Sequence, residues 1–405
     1  MAERTVVRRP PGRRAQILAA ACGQFHRHGY HGVSMAEVAA EVGITAPALY
    51  RHFRSKPELL LRAVESELAV LHAAVRPRPG GVAGLCAGLA AAAVDHRALG
   101  TLWQRDARLL PAAQRARLRR DLRADVRTMA AVLAGERPEL RLREAEFLCW
   151  SVLSAYGSLS NHTFAPPRRR FEDLLGRLGG DLLASRPAAG PVRRPAVPGP
   201  RRAPAASSRR EELLAAAVRL FHERGFDNVS TDRIGAAVGI AGPSVYKHFR
   251  TKAALLAAAL ERSREQLGSE IGGAVAAGPG AEPATALDAA LRAYLDFAGR
   301  HSHYLGVMLS ETERLDPPDR RAAVDFRRDF LRVWVGLLRQ VRPDYDTAEA
   351  RIRVHAMFAL VNDGVRHRPG QAGEDPADLL EAAARAVLGL SSPAPAAHRK
   401  GLVGG

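Results

Sequence analysis

Apolar and polar positions follow helical spacing along the chain, broken by short segments rich in Gly, Pro and Ser. The pattern predicts helices over 13–28, 35–42, 46–52, 56–75, 82–97, 99–109, 111–134, 139–162 and 168–185. The same order recurs over 209–224, 231–238, 242–248, 252–276, 283–300, 302–314, 317–341, 345–367 and 376–390. Phe25 and Phe53, like Phe221 and Phe249, fall on the inward faces and are expected in the core. Ala, Leu and Arg recur throughout while aromatics are only 5%, a mixture that favours helices over strands. The expected fold class is all-α.

The repetition is literal. Residues 14–60 and 210–256 align without a gap at an offset of 196, with 22 of 47 positions identical. Farther on, Arg137-Pro138-Glu139 matches Arg342-Pro343-Asp344 at an offset of 205, the difference being absorbed in the Gly/Pro-containing loop near Gly272 to Pro283. A whole unit is therefore duplicated. Between the copies, residues 185–208 are rich in Pro and Arg and free of Asp and Glu, a composition that cannot bury a core and favours extended polyproline II. The chain divides into a head at 1–60, a body at 61–185, a linker at 186–208, a second head at 209–256, a second body at 257–392 and a tail at 393–405.

Each head carries the local signals of a helix-turn-helix. Ser34 and Glu37 have capping-box spacing, Val38, Ala39 and Val42 form an apolar face, and Gly43 supplies a terminator able to adopt positive φ. Ile44 then packs behind the turn, Thr45 is placed to cap the next helix, and Pro47 is tolerated in its first turn. Small residues Ala46, Pro47 and Ala48 occupy the end that enters a major groove, followed by Tyr50, Arg51 and His52. Ser55 and Glu58 repeat the capping-box spacing and put Lys56 in the first turn of a long helix, where free N–H groups also favour phosphate. The second copy has Gly242, Pro243, Ser244, Tyr246, Lys247, His248, Thr251 and Lys252. Three of the four lysines fall in these heads, whereas the other 56 basic residues are arginine.

The pattern F-x-x-x-G-[YF]-x-x-x-S, then VGI, then P-x-x-Y-x-H-F-x-[ST]-K resembles the DNA-binding head of tetracycline-repressor-type (TetR/AcrR) transcriptional regulators, and it occurs twice. The resemblance covers about 47 residues per copy; beyond them only helical layout and length are alike. It implies phosphate contacts by Ser34, Tyr50, His52 and Lys56, and by Ser230, Tyr246, His248 and Lys252. It implies base reading by Ala46, Pro47, Ala48 and Arg51, and by Gly242, Pro243, Ser244 and Lys247. Because Ala241-Gly242 replaces Thr45-Ala46, the second recognition helix loses its cap and is expected to be less rigid.

The implied partners are a double-stranded DNA operator and a small-molecule effector, bound in a body that also supplies the pairing surface. With two units in one chain, an intramolecular pseudo-dimer is expected through 139–185 and 345–390, a homodimer of two chains being the competitor. Trp103, Phe147, Trp150 and Tyr156, and in the second unit Tyr294, Phe297, Tyr304, Phe326, Phe330, Trp334 and Phe358, are the aromatics placed to line a cavity or fill a core. The net charge of +18 suits a polyanionic partner. Cys22, Cys86 and Cys149 have no metal-ligand spacing and read as reduced core residues, and His301, His303 and His355 lack a Cys/Asp framework, so no metal and no cofactor are expected. Phosphate-loop, dinucleotide, nucleophile-elbow and zinc-protease motifs are missing, which excludes those enzyme classes. Apolar runs stop short of a membrane span, and a cytoplasmic, nucleoid-associated protein is expected. The reading is a sequence-specific transcriptional regulator, a repressor released by its effector; the alternative is a ligand-sensing or adaptor protein whose degenerate heads bind nucleic acid nonspecifically.

Overall fold

The computed structural model describes residues 12–76, 79–186, 208–276, 282–366 and 376–390. Most of the linker, the tail and Lys400 lie outside the described residues. All regular elements among the described residues are helices. The first unit contains α1 (Arg13–His28), α2 (Met35–Glu41), α3 (Ala46–His52), α4 (Lys56–Ala74), α5 (Gly81–Asp95), α6 (Ala98–Thr101), α7 (Ala112–Glu136), α8 (Leu142–Gly157) and α9 (Arg168–Ala184). The second repeats them as α10 (Arg209–Arg224), α11 (Thr231–Ala236), α12 (Gly242–Val245), α13 (Lys252–Ala276), α14 (Pro283–Arg300), α15 (Ser302–Ser310), α16 (Pro317–Val341), α17 (Thr347–Arg366) and α18 (Pro376–Val387).

The inward positions of the two heads correspond residue for residue. Ile17, Phe25, Val38, Leu49, Phe53 and Leu59 are buried in the first, and Leu213, Phe221, Ile234, Val245, Phe249 and Leu255 in the second. Each such side chain contributes about 1.5–3 kcal/mol relative to exposure, which is what holds short helices that would not persist alone. In the bodies, α5 packs against α9 and α7 against α8, while α14 packs against α13 and α16.

One predicted helix is broken. The run read as 99–109 forms only α6 before a π-helical turn over Leu102–Asp106 and a 3-10 turn over Ala107–Leu109. Its start is pinned to the far end of α8: Thr101 N donates to Ser160 Oγ at 3.0 Å, and a Cβ on Gly100 would overlap Gly157 O. The wider turn then buries Leu102 and Asp106, while Trp103 and Gln104 line a cavity. The helix read as 139–162 likewise ends at Gly157 and continues as a 3-10 turn, Ser158–Asn161.

The units pack through equivalent elements. Helix α8 lies on α17 and α9 on α18, so each surface meets its own duplicate, as in an isologous two-fold contact. Arg353, 3% exposed on α17, donates to Glu349 at 3.0 Å, to Val387 O at 2.9 Å and across the interface to Asp181 on α9 at 3.5 Å. Gln104 Nε2 donates to Asp363 Oδ2 at 2.8 Å, and Arg108 pairs with Glu311. His162 lies against His355 with ring centroids 4.8 Å apart.

These two histidines are held neutral. Burial lowers His162 to about 3, helped by His355 and the Arg97 and Arg351 guanidinium groups; burial beside Arg351 and Arg327 lowers His355 to about 4. An unfolded histidine titrates near 6.5, so the unfolded chain takes up protons first as the pH falls. The native contact is thus at full strength above about pH 6.5 and weakens steadily toward pH 4. Acidification from pH 7.5 to 5 should cost about 2 kcal/mol per histidine, about 4 kcal/mol at this contact. Thermal unfolding at the two pH values tests it: a His162→Gln/His355→Gln variant should lose much of the pH-dependent drop in Tm, and an unchanged drop would refute the assignment.

Candidate nucleic-acid interface

In the first head Ser34 Oγ accepts from Glu37 N at 3.1 Å while Ser34 N donates to Glu37 Oε2 at 2.6 Å, a complete reciprocal cap. Accepting the Ser34 backbone N–H, with the Ser34 hydroxyl beside it, holds the Glu37 carboxyl below its ordinary pKa. Gly43, at φ +67°, turns the chain so that Ile44 N reaches back to Ala39 O at 3.0 Å. Thr45 Oγ1 then accepts from Ala48 N at 3.4 Å, and α3 runs with Leu49 buried. Its outer face carries Pro47, Tyr50 and Arg51, all exposed, with Ala46, Ala48 and His52 half-buried. Tyr50 is 49% exposed, which places its ring outside the core.

The second head repeats the turn with less support. Gly239, at φ +74°, lets Ile240 N reach Gly235 O at 2.9 Å. Ser230 Oγ accepts from Arg233 N at 3.2 Å, but Arg233 stands where Glu37 closes the first cap. Ala241 offers no side-chain cap, and α12 ends at Val245. Tyr246, Lys247 and His248 are exposed on the turn that follows, with Tyr246 Oη 3.3 Å from Thr231 Oγ1. Pro243 is exposed and Ser244 half-buried. Gly242 departs from the expected base-reading set: it is buried, and an added Cβ would overlap Asp232 Oδ1 and lie 2.8 Å from Asp232 Cα. Its hydrogen is what lets α12 approach α11, so it has no surface to offer a base.

The lysines are seated on rings. Lys56 Nζ lies 4.4 Å from the Tyr30 ring centroid and Lys252 Nζ 4.2 Å from that of Phe226. Partial burial lowers both ammonium pKa values from their usual range. Lys252 also donates to Phe226 O at 2.8 Å and Val229 O at 2.9 Å, leaving one of its three donors for a phosphate. The residue-type reading passed over these aromatics, although each follows the glycine of the G-[YF] signature. It also passed over the arginines that open α1 and α10. Arg13 donates to Val42 O at 3.0 Å and Arg209 to Val238 O at 2.9 Å, while Arg14 donates to His52 O at 3.1 Å. They tie each first helix to the end of a motif helix.

The two heads touch. His31 Nε2 lies 3.3 Å from Asp227 Oδ2, and Asp227 also pairs with Arg314. Burial lowers the His31 pKa, which Asp227 partly offsets. Below the heads, a cavity of about 600 Å³ opens in the first body, within the range of small-molecule sites. Trp103, Trp150 and Tyr156 are among its walls, and it reaches His222 and Glu223 at the end of α10 and Asp363 on α17. In the second body Tyr294, Phe330, Trp334 and Phe358 contact one another ring to ring.

All three cysteines are buried and free, and burial pushes Cys86 up to about 11 and Cys149 up to about 12. Among the described residues, no group of three His, Cys, Asp or Glu side chains could hold a metal ion, and no single helix is long and apolar enough to cross a membrane.

Residues 17–63 and 213–259 each match the family of bacterial regulatory proteins, tetR family. Both heads are tetR-family heads, and the chain carries that head twice in tandem. The chain is 42% identical over 64 residues to the HTH-type transcriptional activator FasR of Mycolicibacterium smegmatis, a match covering 16% of this chain and 29% of that protein. Among solved structures, a TetR-family regulator from Bordetella parapertussis 12822 aligns with 21% identity and a TM-score of 0.42, over 46% of this chain and all of that one. The ketosteroid transcriptional regulator KstR2 of Mycobacterium tuberculosis aligns with 26% identity and a TM-score of 0.38, over 45% of this chain and 95% of that one.

The close approach at Gly242 gives a local test. Gly242→Ala should destabilise the second head by about 1–3 kcal/mol, because backbone must move to admit the methyl group. Hydrogen exchange should accelerate in α11 and α12 and stay unchanged in α2 and α3. Equal protection in wild type and variant would show that the contact does not constrain the head.

Proposed function

We propose that the chain is a sequence-specific DNA-binding transcriptional regulator in which heads 1–60 and 209–256 read the two halves of one operator, and bodies 61–185 and 257–392 pair as an intramolecular pseudo-dimer. The observation that carries this reading is the pairing of two exposed recognition surfaces above an internal isologous interface. Ser34, Tyr50, His52 and Lys56, with Ser230, Tyr246, His248 and Lys252, hold phosphates. Pro47 and Arg51, with Ala46 and Ala48 alongside, read bases in one half-site; Pro243, Ser244 and Lys247 read the other. Because Arg51 and Lys247 differ and only α3 is capped, the half-sites are unlike and the first head discriminates more strongly. A small molecule in the body releases the heads from DNA by shifting their separation. The FasR relative is named an activator, so the sign of regulation is read in a reporter assay rather than from the fold.

Footprinting of the purified full chain on genomic fragments tests the proposal. The expected footprint is asymmetric, with half-sites about one DNA turn apart. Lys56→Ala should weaken binding to all sequences and reduce the salt slope by about 0.9, whereas Arg51→Ala should cost about 1–3 kcal/mol and relax the preference at one base pair. A strictly palindromic footprint occupied by two chains, or binding that ignores sequence in competition with bulk DNA, would overturn it.

A further inference from the structure

The interiors of the two bodies differ at equivalent positions. At the 205-residue offset that relates Arg137 to Arg342, the cavity residues Leu89, Ala92 and Leu153 correspond to Tyr294, Phe297 and Phe358. Tyr294 and Phe297 are buried, and the Tyr294 ring lies 4.9 Å from that of Phe358 and 5.8 Å from that of Trp334. Aromatic side chains thus stand in the second body where smaller ones border open space in the first.

The polar groups around that space point to a ligand and to its charge. Glu67 on α4 is 6% exposed; its Oε1 is 3.2 Å from His96 Nδ1, the buried Cys22 thiol lies beside the carboxylate, and Oε2 has no N–H or O–H donor among the described residues. The His96 hydrogen bond with Glu67 raises the imidazole pKa. A buried acceptor without a donor is costly, and a ligand or water in the cavity would meet it. On α7, Arg115, Arg119 and Arg123 stand four residues apart on one face, and all three line the cavity. Arg119 and Arg123 are exposed and form no ion pair among the described residues. Their counterparts in the second body are Val324 and Arg328, the latter neutralised by Asp325 and Asp329. Five arginines line the cavity against three carboxylates, Glu67, Glu223 and Asp363.

We propose that the chain binds one amphipathic organic anion per molecule, in the first body only, with its apolar part among α4, α5, α7 and α8 and its carboxylate or phosphate on Arg119 and Arg123. Seated there, the ligand touches His222 and Glu223 of the second head's first helix, so an effector of one unit reports directly to the other. His222 is well placed for this, since it packs so closely on α15 that a Cβ on Gly306 would overlap its imidazole. The inference rests on the regulator reading for its consequence, and binding itself requires no DNA.

Calorimetric titration of the full chain with dodecanoate, dodecanol and dodecyltrimethylammonium, each below its micellar concentration, tests the proposal. Dodecanoate should saturate at one equivalent per chain and bind about tenfold more tightly than the other two. Arg119→Ser/Arg123→Ser, at exposed positions that leave the core intact, should bring dodecanoate down to the affinity of dodecanol. Leu89→Tyr/Leu153→Phe, which installs the second body's residues, should abolish binding. Two equivalents per chain, equal affinity for the three probes, or a preference that survives removal of both arginines would overturn it. Operator binding by the ligand-free protein, measured on the same preparation, separates the two readings: no operator binding with dodecanoate titration intact defeats the regulator, and the reverse outcome defeats only this site.

Discussion

One buried cation among the described residues organises the join between the two halves. Arg353 is almost wholly removed from water, and its Nε and Nη1 donate to Glu349, Val387 O and Asp181, with the Tyr345 ring 4.5 Å from its carbon. A buried charge persists only where its partners stand in fixed geometry, so α9, α17 and the end of α18 must meet in one register. The equivalent residue in the first unit is Leu148, fully buried and apolar. The lock therefore exists on one side only. Everything above it inherits that register, including the His162–His355 contact, the Gln104–Asp363 bond and the spacing at which the heads meet.

Asymmetry of this kind pervades the molecule while its backbone plan stays symmetric. The first head has complete caps and a seven-residue α3; the second has Ala241 in place of the capping threonine, a buried glycine after it, and keeps its tyrosine, lysine and histidine on a turn. One body is hollow where the other is filled with rings. Such differences are open to a tandem chain because each position is encoded once per half. A pair of identical subunits would carry any substitution at both sites, and a lock such as Arg353 would bring two charges to the same interface.

Much of the heads was legible from residues alone. Capping spacings, the positive-φ glycines and the apolar period are local signals, and local hydrogen bonds realise them, as at Ser34, Gly43 and Thr45. What could not be read depends on juxtaposition. Gly242 looks like a small base-facing residue until Asp232 is seen against it. Tyr30 and Phe226 become seats for lysines only when α4 and α13 fold back. The helix expected over 99–109 breaks because Gly100 and Thr101 answer to α8 and the 3-10 turn after it, more than fifty residues away. The cavity draws its walls from both units, so no single segment encodes it.

For the proposed regulator, the internal interface also changes the concentration law for occupying DNA. Paired subunits that meet by diffusion are lost on dilution, and the population of the two-headed form then falls with the square of protein concentration. Here the partner surface of α8 and α9 is already covered by α17 and α18 of the same chain. If the proposed pseudo-dimer is the acting form, the two-headed species is first order in chain number, and its fraction does not fall as copies become few.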